Sequence, residues 1–314
     1  MKLIMHRYQD EDDYWRIREF LRQLTIRNQR RWPSWHVSRL DYWWWFANPD
    51  LEKMKPEENI FLWETESGQI AVVLNSEERG QVFPQIHPDY RTPQLEEDLI
   101  ETAEKNLFAI TKENRQRLWV WIDSQDKSLQ EILSHRGFQR VQQPGQQEFQ
   151  HRRLLDEPLP ETQPVTGYTI RSLGDGLELL ERCYASGLGF HNDDIHTARD
   201  NRDHPEWYDD IQSAPLYRRD LDIVAVAPDG SIASFCTIWF DDVTRTACFE
   251  PVATVPVHQR RGLGKAVMLD GLHRLKRMGC KVALVSGFSE AAKALYFSVM
   301  GSKHDVSEPW EKII

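Results

Sequence analysis

The chain is 314 residues long, which suits two domains of roughly 150 residues better than one. Its 40% hydrophobic and 28% charged residues describe a globular protein, and its net charge of -10 argues against non-specific nucleic-acid binding, which needs Lys and Arg to displace counterions. The N-terminus turns polar after Met5 and no apolar run approaches the roughly 20 residues of a membrane span, so neither a secretory leader nor membrane attachment is expected and a cytoplasmic location is.

Cys183, Cys236, Cys248 and Cys280 lack CxxC spacing, so the sequence indicates neither a zinc site nor a disulfide framework, and no metal is expected. An acidic surface favours cationic partners, amines among them.

The first half opens with a strand near Leu3 to Tyr8 and a helix from Asp12 to Leu24. After a Trp-rich stretch, WPSWHVSRLDYWWWF, come the strands IFLWE, QIAVVLN and VFPQIHP. A helix is then predicted from Leu95, Leu99, Ala103, Leu107 and Ile110, which fall at helical spacing. The strand LWVWI, the helix SLQEILSHRG and two closing strands complete this half.

From residue 154 to 167 the chain reads LLDEPLPETQPVTG, the best linker in the sequence. Beyond it the same order returns: YTIRSL, a helix from Leu177 to Tyr184, the strands LDIVAVAP, SIASFCTIWF and ACFEPVATV, and a helix bearing Val267, Met268, Leu272, Leu275 and Met278. VALVSG, the helix EAAKALYFSVMG and a short tail close the chain. Pro88 and Pro256 lie 168 positions apart and Gly137 and Gly301 164, so the halves keep register. The expectation is a duplicated α/β (α+β) architecture with domains at 1–155 and 166–314, each a mixed, mostly antiparallel sheet flanked by helices.

EPVATVPVHQRRGLGKAVM runs from a β-branched strand through a glycine turn into an amphipathic helix. The first amides of a helix have no internal partners and carry about half a positive charge, so such a turn suits phosphate oxygens. Arg260, Arg261 and Lys265 add charge. A plain strand-to-helix turn is the bland alternative. A Walker A loop is excluded by Gln259 and Ala266, and a dinucleotide fingerprint by Val267 where its third glycine belongs.

The run Gln259-Arg-Arg-Gly262-Leu-Gly264 resembles the Q/R-x-x-G-x-G/A signature of the GNAT N-acetyltransferase superfamily, with the flanking elements in that superfamily's order over about 145 residues. The resemblance implies acetyl-CoA as co-substrate. Val252, Ala253 and Thr254 would pair with its pantetheine arm, and the turn Gln259, Arg260, Arg261, Gly262, Leu263, Gly264 and Lys265 would hold its pyrophosphate. The family's usual Asn is replaced by Ser289 at a further cofactor position. Tyr296 stands where the family carries a tyrosine. The tandem arrangement resembles that of the mycothiol synthases.

An alkylamine with a pKa near 10.4 is almost wholly protonated at pH 7, so attack on a thioester needs a base. Glu250 is the candidate, directly or through water, and strand alternation would put it on the face of Val252. Tyr296 would protonate the departing thiolate. Cys248 shares the Glu250 face but has no catalytic partner nearby in sequence and reads as a buried cysteine. These residues predict acetyl transfer in a ternary complex to a primary amine on a small molecule or peptide. A non-catalytic acyl-CoA-binding regulatory module is the alternative.

The first half has Gln94 and Glu96 in place of Gly262 and Gly264, and Ile132 in place of Tyr296, so it reads as a degenerate copy. Trp32, Trp35, Trp43, Trp44 and Trp45 suit core packing, an inter-domain contact or an aromatic acceptor wall. The acidic, His-containing stretch from Phe190 to Trp207 matches no helical metal-ligand spacing and reads as a mobile lid.

Overall fold

A computed structural model describes residues 2–313. The chain folds into two compact units, one made of Met1–Gln150, Gly287–Ser289 and His304–Ile314, the other of His151–Ser286 and Glu290–Lys303.

The first unit runs β1 (Leu3–Arg7), α1 (Glu11–Arg27), α2 (Val37–Tyr42), a π-helical stretch (Trp43–Glu52), α3 (Pro56–Asn59), β2 (Ile60–Thr65), β3 (Ile70–Glu78), β4 (Gln81–Ile86), α4 (Pro93–Asn106), β5 (Ala109–Ile110), β6 (Gln116–Asp123), α5 (Lys127–His135), β7 (Gln139–Arg140) and β8 (Glu148–Leu154). The second follows with β9 (Thr169–Ser172), α6 (Leu177–Phe190), α7 (Ile195–Asp203), α8 (Glu206–Ser213), β10 (Asp222–Val226), β11 (Ile232–Asp241), β12 (Thr246–Thr254), α9 (Leu263–Arg277), β13 (Val282–Gly287) and α10 (Glu290–Met300), and the chain then returns to the first unit in β14 (His304–Ile313).

Local chemistry explains several boundaries. Asp10 caps α1 by accepting from the Asp12 amide at 3.1 Å, and Glu11, Asp12 and Asp13 sit where the helix dipole favours acids. The helical pattern that seemed to reach Ile110 stops at Asn106, because Ala109 and Ile110 pair instead with Arg117 and Gln116 of β6.

In the first unit β1 to β4 form an antiparallel meander, β4 meets β6 in parallel, and β14 pairs antiparallel with β6 from Ser307↔Asp123 to Ile313↔Arg117. In the second, β9 to β12 are antiparallel, β12 meets β13 in parallel, and β8, which enters this unit at His151, lies beside β13. Each unit's set of strands thus takes in one that follows the other repeat in sequence. The boundaries 1–155 and 166–314 therefore need amending: the supposed short tail is a ten-residue strand of the first unit. Its pattern hid it, since the positions it buries include Asp305, Ser307 and Glu308, the last paired with Arg140 at 2.5 Å.

All ten residues of β11 are buried. On one side α9 presses Val267, Met268, Leu272 and Leu275 into the core, and Gly271 admits the sheet so closely that a Cβ would lie 2.4 Å from Ile238 Cδ1. On the other, the stretch read as a lid forms α7 and α8. Asp194 caps α7 by accepting from the His196 amide at 2.9 Å, and a Cβ on Gly187 of α6 would fall 2.5 Å from Ala198 Cα.

Candidate active site

β12 carries the first feature of the site. Cys236 faces Val252, but Ile238 faces Phe249, so Glu250 and Pro251 together oppose Thr237 in a β-bulge. The extra residue resets the side-chain alternation. Val252 shares the α9 face with Phe249 and Cys236, while Glu250 turns with Cys248 and Thr237 to the opposite face. The expectation that Glu250 and Val252 look the same way fails here, because a period of two does not survive a bulge. Trp239 pins the bulge by donating its indole N–H to the Glu250 carbonyl at 2.6 Å.

Past the bulge β12 leaves its other neighbour. Parallel pairing with β13 extends only from Thr246↔Val282 to Cys248↔Leu284, so Val252, Ala253 and Thr254, all half-buried, lie beyond it. Ser234 on β11 fixes this end, donating to the Ala253 carbonyl at 2.8 Å and meeting Thr254 Oγ1 at 2.8 Å.

The chain then makes one 3-10 turn, Pro256–His258, and bends into α9 through two left-handed residues, Arg260 (φ 62°) and Gly262 (φ 82°). Gly262 serves as the N-cap and supplies no side-chain acceptor. Among the described residues no protein acceptor takes the amides of residues 260–265, the first helical bond being Ala266 to the Gly262 carbonyl at 3.0 Å. The two glycines serve different ends. Gly262 meets open space and is needed for its positive φ, whereas a Cβ at Gly264 would crowd Leu295 Cδ2 at 3.1 Å and Thr254 Oγ1 at 3.3 Å. Arg260, Arg261 and Lys265 are exposed around the helix end, and Leu263 is buried, so it offers only its backbone.

Gln259 also holds the turn together. Its amide bonds the Pro256 carbonyl at 3.1 Å and its side chain donates to the Thr254 carbonyl at 3.1 Å, bracing the turn. Ser289 belongs to the stretch Gly287–Ser289, which groups with the first unit and not with this turn.

Tyr296 on α10 is 7% exposed and packs in the core below α9. Burial, then the Glu250 charge, pushes its phenol well above its ordinary pKa, so the hydroxyl keeps its proton throughout the neutral range. Cys248 and Cys236 add to the shift. The His151 ring meets Tyr296 edge to face at 6.0 Å. Sequence reasoning missed His151, which lies in QEFQHRRLL and reads there as the closing strand of the first repeat.

Behind the Glu250 face lies a buried polar set. Tyr208 and Tyr217 donate to Asp222 at 2.5 and 2.9 Å, and the fully buried Arg182 guanidinium stacks 3.4 Å from the Phe235 centroid. Burial lifts both phenols above their ordinary range.

Residues 182–301, which hold the bulge, the turn and Tyr296, match the acetyltransferase (GNAT) family model. This segment belongs to the GNAT acetyltransferase family. The GNAT assignment makes the chain an acyltransferase, and solved structures extend the likeness in fold to its whole length. A GCN5-related N-acetyltransferase from Sphaerobacter thermophilus is 18% identical, with 99% of this chain and 95% of that chain covered and a TM-score of 0.64. A tandem GNAT protein from the clavulanic acid biosynthesis pathway is 13% identical, with 99% and 98% covered and a TM-score of 0.63. No curated protein matches by sequence. Among the described residues no helix is long and apolar enough to cross a membrane.

Proposed function

We propose that the second unit transfers an acetyl group from acetyl-CoA to a primary amine of a small molecule or peptide, by direct attack in a ternary complex. The observation that carries this reading is the set of unpartnered amides at residues 260–265, placed at the positive end of α9 and ringed by Arg260, Arg261 and Lys265. Two linked phosphates fit such donors. The end of β12 released from β13 offers Val252, Ala253 and Thr254 to an amide-bearing arm, as a strand would.

Glu250 takes the proton from the amine, directly or through water, and the nitrogen lone pair then forms the C–N bond. As the tetrahedral carbon collapses and the C–S bond breaks, Tyr296 gives its phenolic proton to the leaving sulfur. The phenol arrives protonated, as a donor must, and takes a proton back from solvent after each turnover, while its raised pKa makes the transfer to sulfur cost more than from an ordinary phenol.

Turnover and binding test the proposal separately. Tyr296→Phe should lower kcat about 100- to 10,000-fold with acetyl-CoA affinity little changed. Arg260→Glu combined with Lys265→Glu, both exposed, should weaken acetyl-CoA binding by about tenfold or more at low salt while the melting temperature stays put. Unchanged turnover in the first variant would remove Tyr296 from the reaction.

A further inference from the structure

β12 changes phase in its middle, and the change decides which of its backbone groups face outward. At its start the Arg245 carbonyl accepts from the amides of Lys281 and Val282 at 2.8 and 3.4 Å. Alternate residues from there, Ala247 and Phe249, therefore turn their backbone groups to the β13 side. An unbroken strand would continue the series with Pro251 and Ala253. Pro251 has no N–H to give.

Beyond the bulge the phase is reversed. The Val255 amide bonds the Ala233 carbonyl at 2.9 Å, and Ala253, two residues back and opposite Phe235, is the next residue bonded to β11. Val252 and Thr254 direct their amides and carbonyls away from β11, on the side where pairing with β13 has ended. The Gln259 side chain agrees with that direction, since it reaches the Thr254 carbonyl at 3.1 Å. The extra residue thus presents two amides outward where an unbroken strand would present one.

Trp239 holds the extra residue in place. Fully buried and opposite Cys248, it reaches diagonally across the strands to donate to the Glu250 carbonyl at 2.6 Å. Pro251 brings no N–H to the ladder at this point, and the indole adds a donor there.

We infer that Trp239 is a positioning residue for the donor: by fixing the bulge it points the backbone of Val252 and Thr254 at the amide-bearing arm of acetyl-CoA. The phosphates are left to the turn before α9. The inference rests on the reading of β12 and that turn as the acetyl-CoA site, and adds a residue that acts through the strand.

Calorimetry with two probes separates the arm from the phosphates. One is acetyl-CoA; the other is 3′-phospho-ADP, which is CoA without its arm. Trp239→Phe keeps an aromatic ring in the core and loses the N–H. It should weaken acetyl-CoA about tenfold or more and leave the armless nucleotide within about twofold of the wild-type protein. Equal weakening of both probes means a general packing role, and unchanged acetyl-CoA affinity means none; either overturns the inference. Failure of both probes on the wild-type protein brings down the site reading itself, and the inference with it.

Amide exchange in the wild-type chain, followed by NMR, tests the phase even where Trp239→Phe does not fold. In the free protein Ala253 should exchange slowly and Val252 and Thr254 faster, and acetyl-CoA should slow the latter two. Protection that falls on Ala253 in their place overturns the inference.

Discussion

The turn after the fourth strand of each unit's antiparallel meander shows how one scaffold can offer a helix end to a ligand or close it off. In the second unit β12 passes through Arg260 and Gly262 into α9, whose N-cap has no side chain and whose leading amides stay unbonded. In the first, β4 passes through Thr92 into α4, where the Thr92 hydroxyl takes the Leu95 amide. Glu96, 1% exposed, then fills the first turn and bonds Arg91 and Ser128. Thr92 does for the Leu95 amide what a phosphate can do at α9, and Glu96 adds a carboxylate beside the helix end, so the first unit gains helix stability where the second keeps a binding site. Ile132, in the place of Tyr296, is simply part of the first core.

The largest effect should come from cutting the strand that the comparison shows to be exchanged. Removing residues 304–314 strips β6 of its partner from Arg117 to Asp123 and should unfold the first unit. Limited proteolysis would show cleavage confined to residues before Gln150, and uniform resistance would contradict the assignment of β14.

A smaller effect is expected at the open turn. Gly262→Val places a β-branched residue at φ 82° and should cost about 1–3 kcal/mol of stability in the second unit, read from its denaturant midpoint. Smaller again is the closed turn: Thr92→Ala should cost about 1 kcal/mol and should leave acetyl-CoA binding alone.

Alkali gives a graded test of the buried phenols. Tyr208, Tyr217 and Tyr296 have folded pKa values raised above the ordinary value near 10, so the folded state holds their protons where the unfolded state releases them. Their contribution is complete below about pH 10 and is lost as pH rises beyond it. Melting temperatures should be flat in this respect to about pH 10 and fall above it. Tyr217→Phe, which removes one of the two phenols on Asp222, should make the fall shallower.

Much of this was legible in the residues. Helical spacing in α9, the duplicated order of elements and the Gln259 to Gly264 run led to the fold and the turn, because those signals are local. What escaped notice was non-local. Glu250 turned to the other face because a bulge is defined by the partner strand, and its one local mark in ACFEPVATV is Pro251, a residue that strands accommodate at bulges. The exchange of β8 and β14 was hidden for the same reason, and with it the approach of His151 to Tyr296. The bond from the Gln259 side chain to the Thr254 carbonyl was likewise not legible in the motif.

Amide hydrogen exchange with and without acetyl-CoA tests the open-turn account most directly. Slowed exchange at residues 260–265, with no change at residues 94–96, is the predicted result. Protection at the start of α4, or none at the start of α9, would contradict it.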